Sequence, residues 1–204
     1  MKNTLKVLSI GAVGAVTATL VACNQSGGGT AMSAAPAGVS YQQMADALHV
    51  VMDSDRAVYT QRIVQRLTKK ENVITASEHF EDEKALVLPA QMFRFGAEMV
   101  SDKVSKNPEL DFSYSLQSLW PINKQNAPKT EVEKVGLQYV ADNVGQNYYG
   151  EETLAGTKYF TAVYPDIAVA PVCASCHNDH KDTPKTDFQS GDVMGGVVIR
   201  IPMN

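Results

Sequence analysis

The sequence is short of basic charge: 18 Lys and Arg stand against 22 Asp and Glu in 204 residues, a formal net charge of −4. Without a basic footprint to neutralise phosphates, nucleic acid is not an expected partner. No internal repeat is visible, so a repeat architecture is not expected either. Long apolar runs are scarce. The one at residues 7–21 is too short to span a bilayer comfortably and follows the basic lead Met1-Lys2-Asn3-Thr4-Leu5-Lys6, which makes residues 1–22 a signal peptide. Cysteine is scarce too, with three in all.

What is present sorts those three cysteines. The apolar run closes on Leu20-Val21-Ala22-Cys23, similar to the bacterial lipobox, whose Cys is diacylated and becomes the mature N-terminus. Cys23 is therefore the expected lipidation site. Asn24 is not the Asp that retains lipoproteins in the inner membrane, so the expectation is a periplasm-facing, lipid-anchored protein of the cell envelope, with the outer membrane as the default. Residues 23–39 are rich in Gly, Ser, Ala and Pro and read as a tether. About 16 such residues reach roughly 20–25 Å. Residues 40–204, from a chain 44% hydrophobic and 20% charged, form the expected globular domain.

The other two cysteines stand in Cys173-Ala174-Ser175-Cys176-His177, the spacing that holds a c-type haem. Two thiols three residues apart reach the two vinyl groups of one haem edge, and the adjacent imidazole ligates the iron. The expected cofactor is one covalent haem c on Cys173 and Cys176 with His177 axial. A thioredoxin-like dithiol, a zinc site with His180 and a plain disulfide are the other uses of these residues. The dithiol usually opens a helix after a strand, zinc would need four ligands from eight residues, and a disulfide gives no reason for the His.

Along the domain, Ser40 with Gln43 is a capping box. It opens a long amphipathic helix over residues 40–70, with Met44, Leu48, Val51, Val58, Ile63 and Leu67 expected inward and Asp53, Asp55, Arg56, Arg62 and Arg66 on the polar face. That helix is a candidate surface for pairing with a second copy. Residues 73–75 are a short β-branched candidate strand. Pro89 starts a helix with the stripe Met92, Phe95, Gly96, Met99 and Val100. Residues 112–116 alternate as a half-buried strand, and residues 120–128 form a loop. Thr130 with Glu133 caps a further helix with Val132, Val135, Tyr139 and Val140 inward. Strands follow at residues 158–164 and 197–201, on either side of a motif expected in a loop with the haem resting on the sheet. The fold class is α+β: an antiparallel sheet with flanking helices and a long N-terminal helix.

The order of the Asn123 to Pro128 Asn-x-x-Asn-Ala-Pro loop, the helix after it, the aromatic strand, Cys-x-x-Cys-His and the Gly-Asp-x-x-Gly turn into an Ile/Val strand resembles the PAS-like c-type haem domain family. That family includes cyanobacterial Tll-type monohaem cytochromes and periplasmic haem c sensor domains. The resemblance covers roughly residues 88–202. Members carry Asn-Pro at the loop start, where this chain has Ile122-Asn123-Lys124. The resemblance implies a PAS-like fold, one covalent haem, and electron transfer or redox or gas sensing. It also favours Met92 as sixth ligand, because members that use a thiol or thioether take it from a helix ahead of this loop.

Met52 is the runner-up, followed by Met99, His49, His79 and Met194, while His180 lies too close to His177 to cross the haem plane. Arg94 and Arg200 are candidate propionate partners. No kinase, methyl-accepting or cyclase segment follows in the sequence, so the expectation is electron transfer or redox relay to a protein partner. A haem sensor acting through a separate partner is the first alternative. A haem enzyme of peroxidase or nitrogen-oxide reductase type is the second, and it would need a distal acid/base. A lipoprotein without haem is the last. No catalytic residue is assigned.

Overall fold

The computed structural model describes residues 38–203. Cys23, the signal peptide and nearly all of the tether lie outside the described residues. Among the described residues no helix is long and apolar enough to cross a membrane.

The capping box forms as expected. The Ser40 hydroxyl accepts from the Gln43 N–H at 3.1 Å, the Gln43 side chain accepts from the Ser40 N–H at 3.0 Å, and helix α1 runs Tyr41–Val58. It continues without a break as a π-helix over Tyr59–Lys70, wider than an α-helix, and the Glu71 N–H closes it five residues back on the Arg66 carbonyl. The inward stripe is the expected one only in part: Leu48 packs on the core and Ile63 and Leu67 are half-buried, but three expected residues are not. Ala45 is fully buried, and Leu48 and Met52 pack with it, while Met44, Val51 and Val58 are 43%, 61% and 59% exposed. Two apolar stripes share this helix, so hydrophobic spacing alone could not choose between them.

β1 (Ala76–Ser77) and β2 (Leu86–Val87) form a small parallel pair around α2 (Phe80–Glu83), with β1 just past the expected residues 73–75. α3 (Pro89–Ser105) begins with its proline in the first turn and buries Phe93, whereas Met99 is 61% exposed. Of the expected stripe, Met92, Phe95, Gly96 and Val100 are half-buried and Met99 alone faces outward.

The main sheet is antiparallel, in the order β3 (Ser113–Gln117), β6 (Val193–Pro202), β5 (Thr157–Ile167), β4 (Tyr148–Leu154). β4 was not expected from the sequence. It is a hairpin partner of β5 through a tight turn in which Ala155 and Gly156 both have positive φ. α4 (Glu131–Asp142) starts at the second capping box and buries Glu133, Gly136, Leu137 and Val140, while Val135 and Tyr139 face outward.

Period-two alternation divides the sheet. Ala162, Tyr164, Val197, Ile199 and Ile201 meet Ala45 of α1 and Phe93 of α3 on one face; Val163 and Val198 meet Leu137 and Val140 of α4 on the other. Each fully buried side chain of this size contributes about 1.5–3 kcal/mol, so both faces are committed to packing. Helices pack on both faces of the sheet. The α+β class, the antiparallel sheet, the flanking helices and the long N-terminal helix are as expected, and the arrangement is PAS-like.

Candidate functional site

The Cys-x-x-Cys-His residues lie on a helix, α5 (Pro171–Asp179), not in the expected loop. Pro171 sits in the first turn, where its fixed φ suits a helix and its missing N–H is not needed. Helical spacing puts Cys173 and His177 four residues apart on one face, with Cys176 beside them. Both thiols are free, Cys173 half-buried and Cys176 exposed. Ala174, one position round, is 7% exposed and packs with Ala168, Phe188 and Met194, against which Trp120 and Cys173 also rest.

The segment after α5 folds back to hold it. The Asn178 side chain donates to the Phe188 carbonyl at 2.9 Å and accepts from the Phe188 N–H at 3.0 Å, a reciprocal pair that brings the Phe188 ring under the helix. The His177 ring meets Phe188 edge-on at 6.2 Å, and Trp120 meets it from another side at 5.8 Å. α5 is thereby oriented by its buried side, with Cys173 and His177 half-buried and Cys176 exposed.

A buried ion pair stands near the end of β5, the strand that leads to α5. Arg56 of α1 donates through Nη2 to the Asp166 carboxylate of β5, and each side chain is only 13% exposed. The β5–β6 register slips between Asp166 and Ile167, a bulge at the point where β5 leaves the sheet for α5. The pair interacts electrostatically with both Cys173 and His177. Burial raises the Cys173 thiol above its ordinary value and lowers the His177 imidazole below its own. A protonated thiol is not the activated thiolate of a redox dithiol, and a neutral imidazole is the form that ligates a metal.

Five buried polar side-chain atoms have no partner among the described residues, and four of them lie on the long helix: His49 Nε2, Arg56 Nε, Gln65 Oε1 and Thr68 Oγ1. Unmet polar atoms of that kind are costly, so the helix has hydrogen-bonding capacity to offer a further group. Together with free thiols and a neutral imidazole on one helix face, this donor set fits a covalently held haem. It does not fit zinc, since among the described residues no group of three or more His, Cys, Asp and Glu side chains is gathered.

The sixth-ligand candidates are scattered. Met92 is half-buried on α3 beside Phe93. Met52 packs against the core cluster of Ala45 and Tyr164. Met194 is buried beneath Ala174. Met99 is exposed. His49 stacks on Tyr164 with ring centroids 3.9 Å apart and planes 9° from parallel. His79 is 66% exposed. His180 accepts through Nδ1 from the Asp182 N–H and turns Nε2 toward Glu78 at 3.7 Å, away from any role opposite His177.

The proposed propionate partners are occupied or peripheral. Arg200 is held between Glu133 and Glu152, and Arg94 lies on the surface near Glu98.

The family model for Tll0287-like proteins matches residues 34–202. The chain belongs to the Tll0287-like family. The match begins well before the resemblance seen in the sequence, so the Tll0287-like region takes in the long α1 helix. A solved structure described as the cyanobacterial heme-protein Tll0287 is similar at a TM-score of 0.49 and 13% identity, covering 81% of this chain and 98% of that one. Among curated proteins none matches the sequence.

Sequence reading missed Arg56, Asp166, Asn178 and Phe188 as site residues. For the first two a signal was present: Arg56 continues the stripe of Ala45, His49 and Met52, and Asp166 has the same strand parity as Ala162 and Tyr164. Both charges stand at core-facing positions.

Proposed function

We propose that this chain is a monohaem c-type cytochrome that relays electrons to a protein partner. Cys173 and Cys176 would hold the haem through thioether bonds and His177 would ligate its iron. The reading is carried by one observation: α5 brings together two free thiols, Cys173 half-buried and Cys176 exposed, and the half-buried His177, while Ala174, Phe188 and Asn178 hold the helix in place. When bound there, the haem supplies a one-electron iron couple whose potential follows its axial ligands and surroundings.

The residues around the site orient rather than react. Phe188 fixes the plane of the His177 ring edge-on, and burial keeps that imidazole neutral. Met92, from α3, remains the proposed sixth ligand, and Met52 the alternative. A carrier is favoured over an enzyme because His49 is stacked flat on Tyr164 and His79 is exposed, which leaves neither poised as a distal acid/base. Lipidation at Cys23 would tether the domain to the membrane on the periplasmic side, within reach of a redox partner there.

The test is a denaturing gel stained for haem, followed by visible spectra of the matured protein, oxidised and reduced, with and without CO. Covalent haem lost in Cys173→Ala and Cys176→Ala, with no CO shift in the reduced protein, is the expected result. A protein that carries no stain overturns the proposal. A CO shift replaces the carrier by a gas-binding sensor, and a spectrum unchanged in Met92→Ala removes Met92 as ligand. Membrane fractionation of Cys23→Ala checks the anchor: the variant is expected in the soluble fraction.

A further inference from the structure

The buried ion pair between α1 and β5 is a single pair, whereas Arg200 on the opposite face is held by two carboxylates. Its position is specific. Arg56 comes from the core-facing stripe of α1 just before the π-helix, and Asp166 comes from the bulge where β5 turns toward α5. A small cavity of about 10 Å³, room for one water at most, lies between Asp53, Arg56, Thr60, Asp166 and Val169. The Arg56 guanidinium is also 5.8 Å from the Phe93 ring, and its Nε finds no acceptor. Two opposite charges are thus fixed in a nearly dry place. Val169, which lines the cavity with them, stands two residues before Pro171, so the pair lies at the start of the helix that carries Cys173 and His177.

Resting on that reading, we propose that Arg56 and Asp166 are positioning residues that set the reduction potential of the haem site, each charge offsetting the other. Oxidation of the iron adds one positive charge to the site. A fixed carboxylate nearby favours the oxidised form, and a fixed guanidinium favours the reduced form. In a buried place water screens neither well, so the balance between them is felt at the iron. The bulge keeps Asp166 aimed at Arg56, and the rigid helix keeps Arg56 from following solvent.

The experiment is redox titration of the full, haem-loaded chain and of Asp166→Asn, Arg56→Gln and the double variant, with Arg56→Lys as the conservative control. Asp166→Asn is expected to shift the equilibrium toward the reduced form by about tenfold or more, which is 59 mV for a one-electron couple. Arg56→Gln is expected to shift it by a similar factor toward the oxidised form. The double variant and Arg56→Lys return close to the parent. A merely structural pair would not give shifts of opposite sign that cancel. Single variants that keep haem and titrate at the parent potential overturn the proposal, as do shifts of the same sign. Should one single variant not fold, the other decides, since each has its own sign. The haem-stained gel of each variant separates this failure from loss of the haem itself.

Discussion

The two faces of the sheet each bury an arginine, and the two sites are built differently. On the α4 face Arg200 donates to Glu133 at 2.7 Å and to Glu152 at 2.8 Å. Glu133, 1% exposed, also accepts from Gln117 at 2.7 Å and from the backbone N–H groups of Lys129 and Thr130, and Glu152 accepts from the Thr161 hydroxyl at 2.7 Å. Each carboxylate there has several donors. On the α1 face Arg56 has Asp166 and leaves its Nε unmatched. A many-membered network of this kind, although Gln117 Oε1 has no partner among the described residues, serves to fix one arrangement of β3, β4, β5, β6 and α4, because any displacement strands a buried charge. An open pair beside the Cys-x-x-Cys-His helix is free to act on what that helix carries.

The comparison is sharpest in stability. Replacing both arginine and carboxylate by apolar residues around Arg200, Arg200→Met with Glu133→Leu, leaves Glu152 without its cation, Gln117 Nε2 with Ser115 alone and the Lys129 and Thr130 N–H groups without their acceptor, and should cost about 3 kcal/mol or more. The same treatment of the open pair, Arg56→Met with Asp166→Leu, should leave stability within about 1 kcal/mol of the parent, because a buried pair replaced whole by apolar groups is close to neutral. Urea unfolding of both double variants checks this. Equal losses would erase the distinction.

Next in size is the single change Glu133→Gln, expected to cost about 3 kcal/mol at neutral pH by leaving Arg200 with one carboxylate. Its pH dependence has a sign. Burial by itself would raise the Glu133 carboxyl, but hydrogen bonds from Gln117, the Lys129 N–H and Arg200 outweigh it and hold the group below its ordinary value. A depressed carboxyl contributes its full stabilisation above the unfolded value of about 4.3 and loses it as the pH falls through the folded one. The gap between parent and Glu133→Gln should therefore close on acidification below about pH 4.3, as read from unfolding curves at neutral and acid pH. A constant gap would mean that Glu133 acts through shape alone. Smallest is Thr161→Val, which removes one hydroxyl from Glu152 and should cost about 1 kcal/mol, measured by thermal unfolding.

The same contrast explains what could be read from the sequence. Capping boxes at Ser40 and Thr130 and the proline at the start of α3 are local chemistry, and those helices begin where expected. The Cys-x-x-Cys-His spacing is local as well and was legible at once. Which stripe of α1 faces inward was not legible, because Met44, Val51 and Val58 are as apolar as the residues that pack, and only the sheet decides between them. β4 escaped because Glu151 and Glu152 interrupt its alternation, although Glu152 turns inward to serve Arg200 and Thr161. The Arg56–Asp166 pair joins residues 110 positions apart, a contact no local pattern announces.

Gly195 lies between the two arginine sites and belongs to neither. Across the β5–β6 ladder it pairs with Asp166, and a Cβ built on it would stand 2.3 Å from the carbonyl oxygen of Gln117. No side chain at all can be accommodated there without moving the backbone that carries one cluster or the strand that carries the other. The bare α-carbon works as a shared bearing: a methyl group at this one position would be felt simultaneously as loosened packing on the α4 side and as a misaimed carboxylate on the α1 side, so the two sites, chemically separate, are mechanically one.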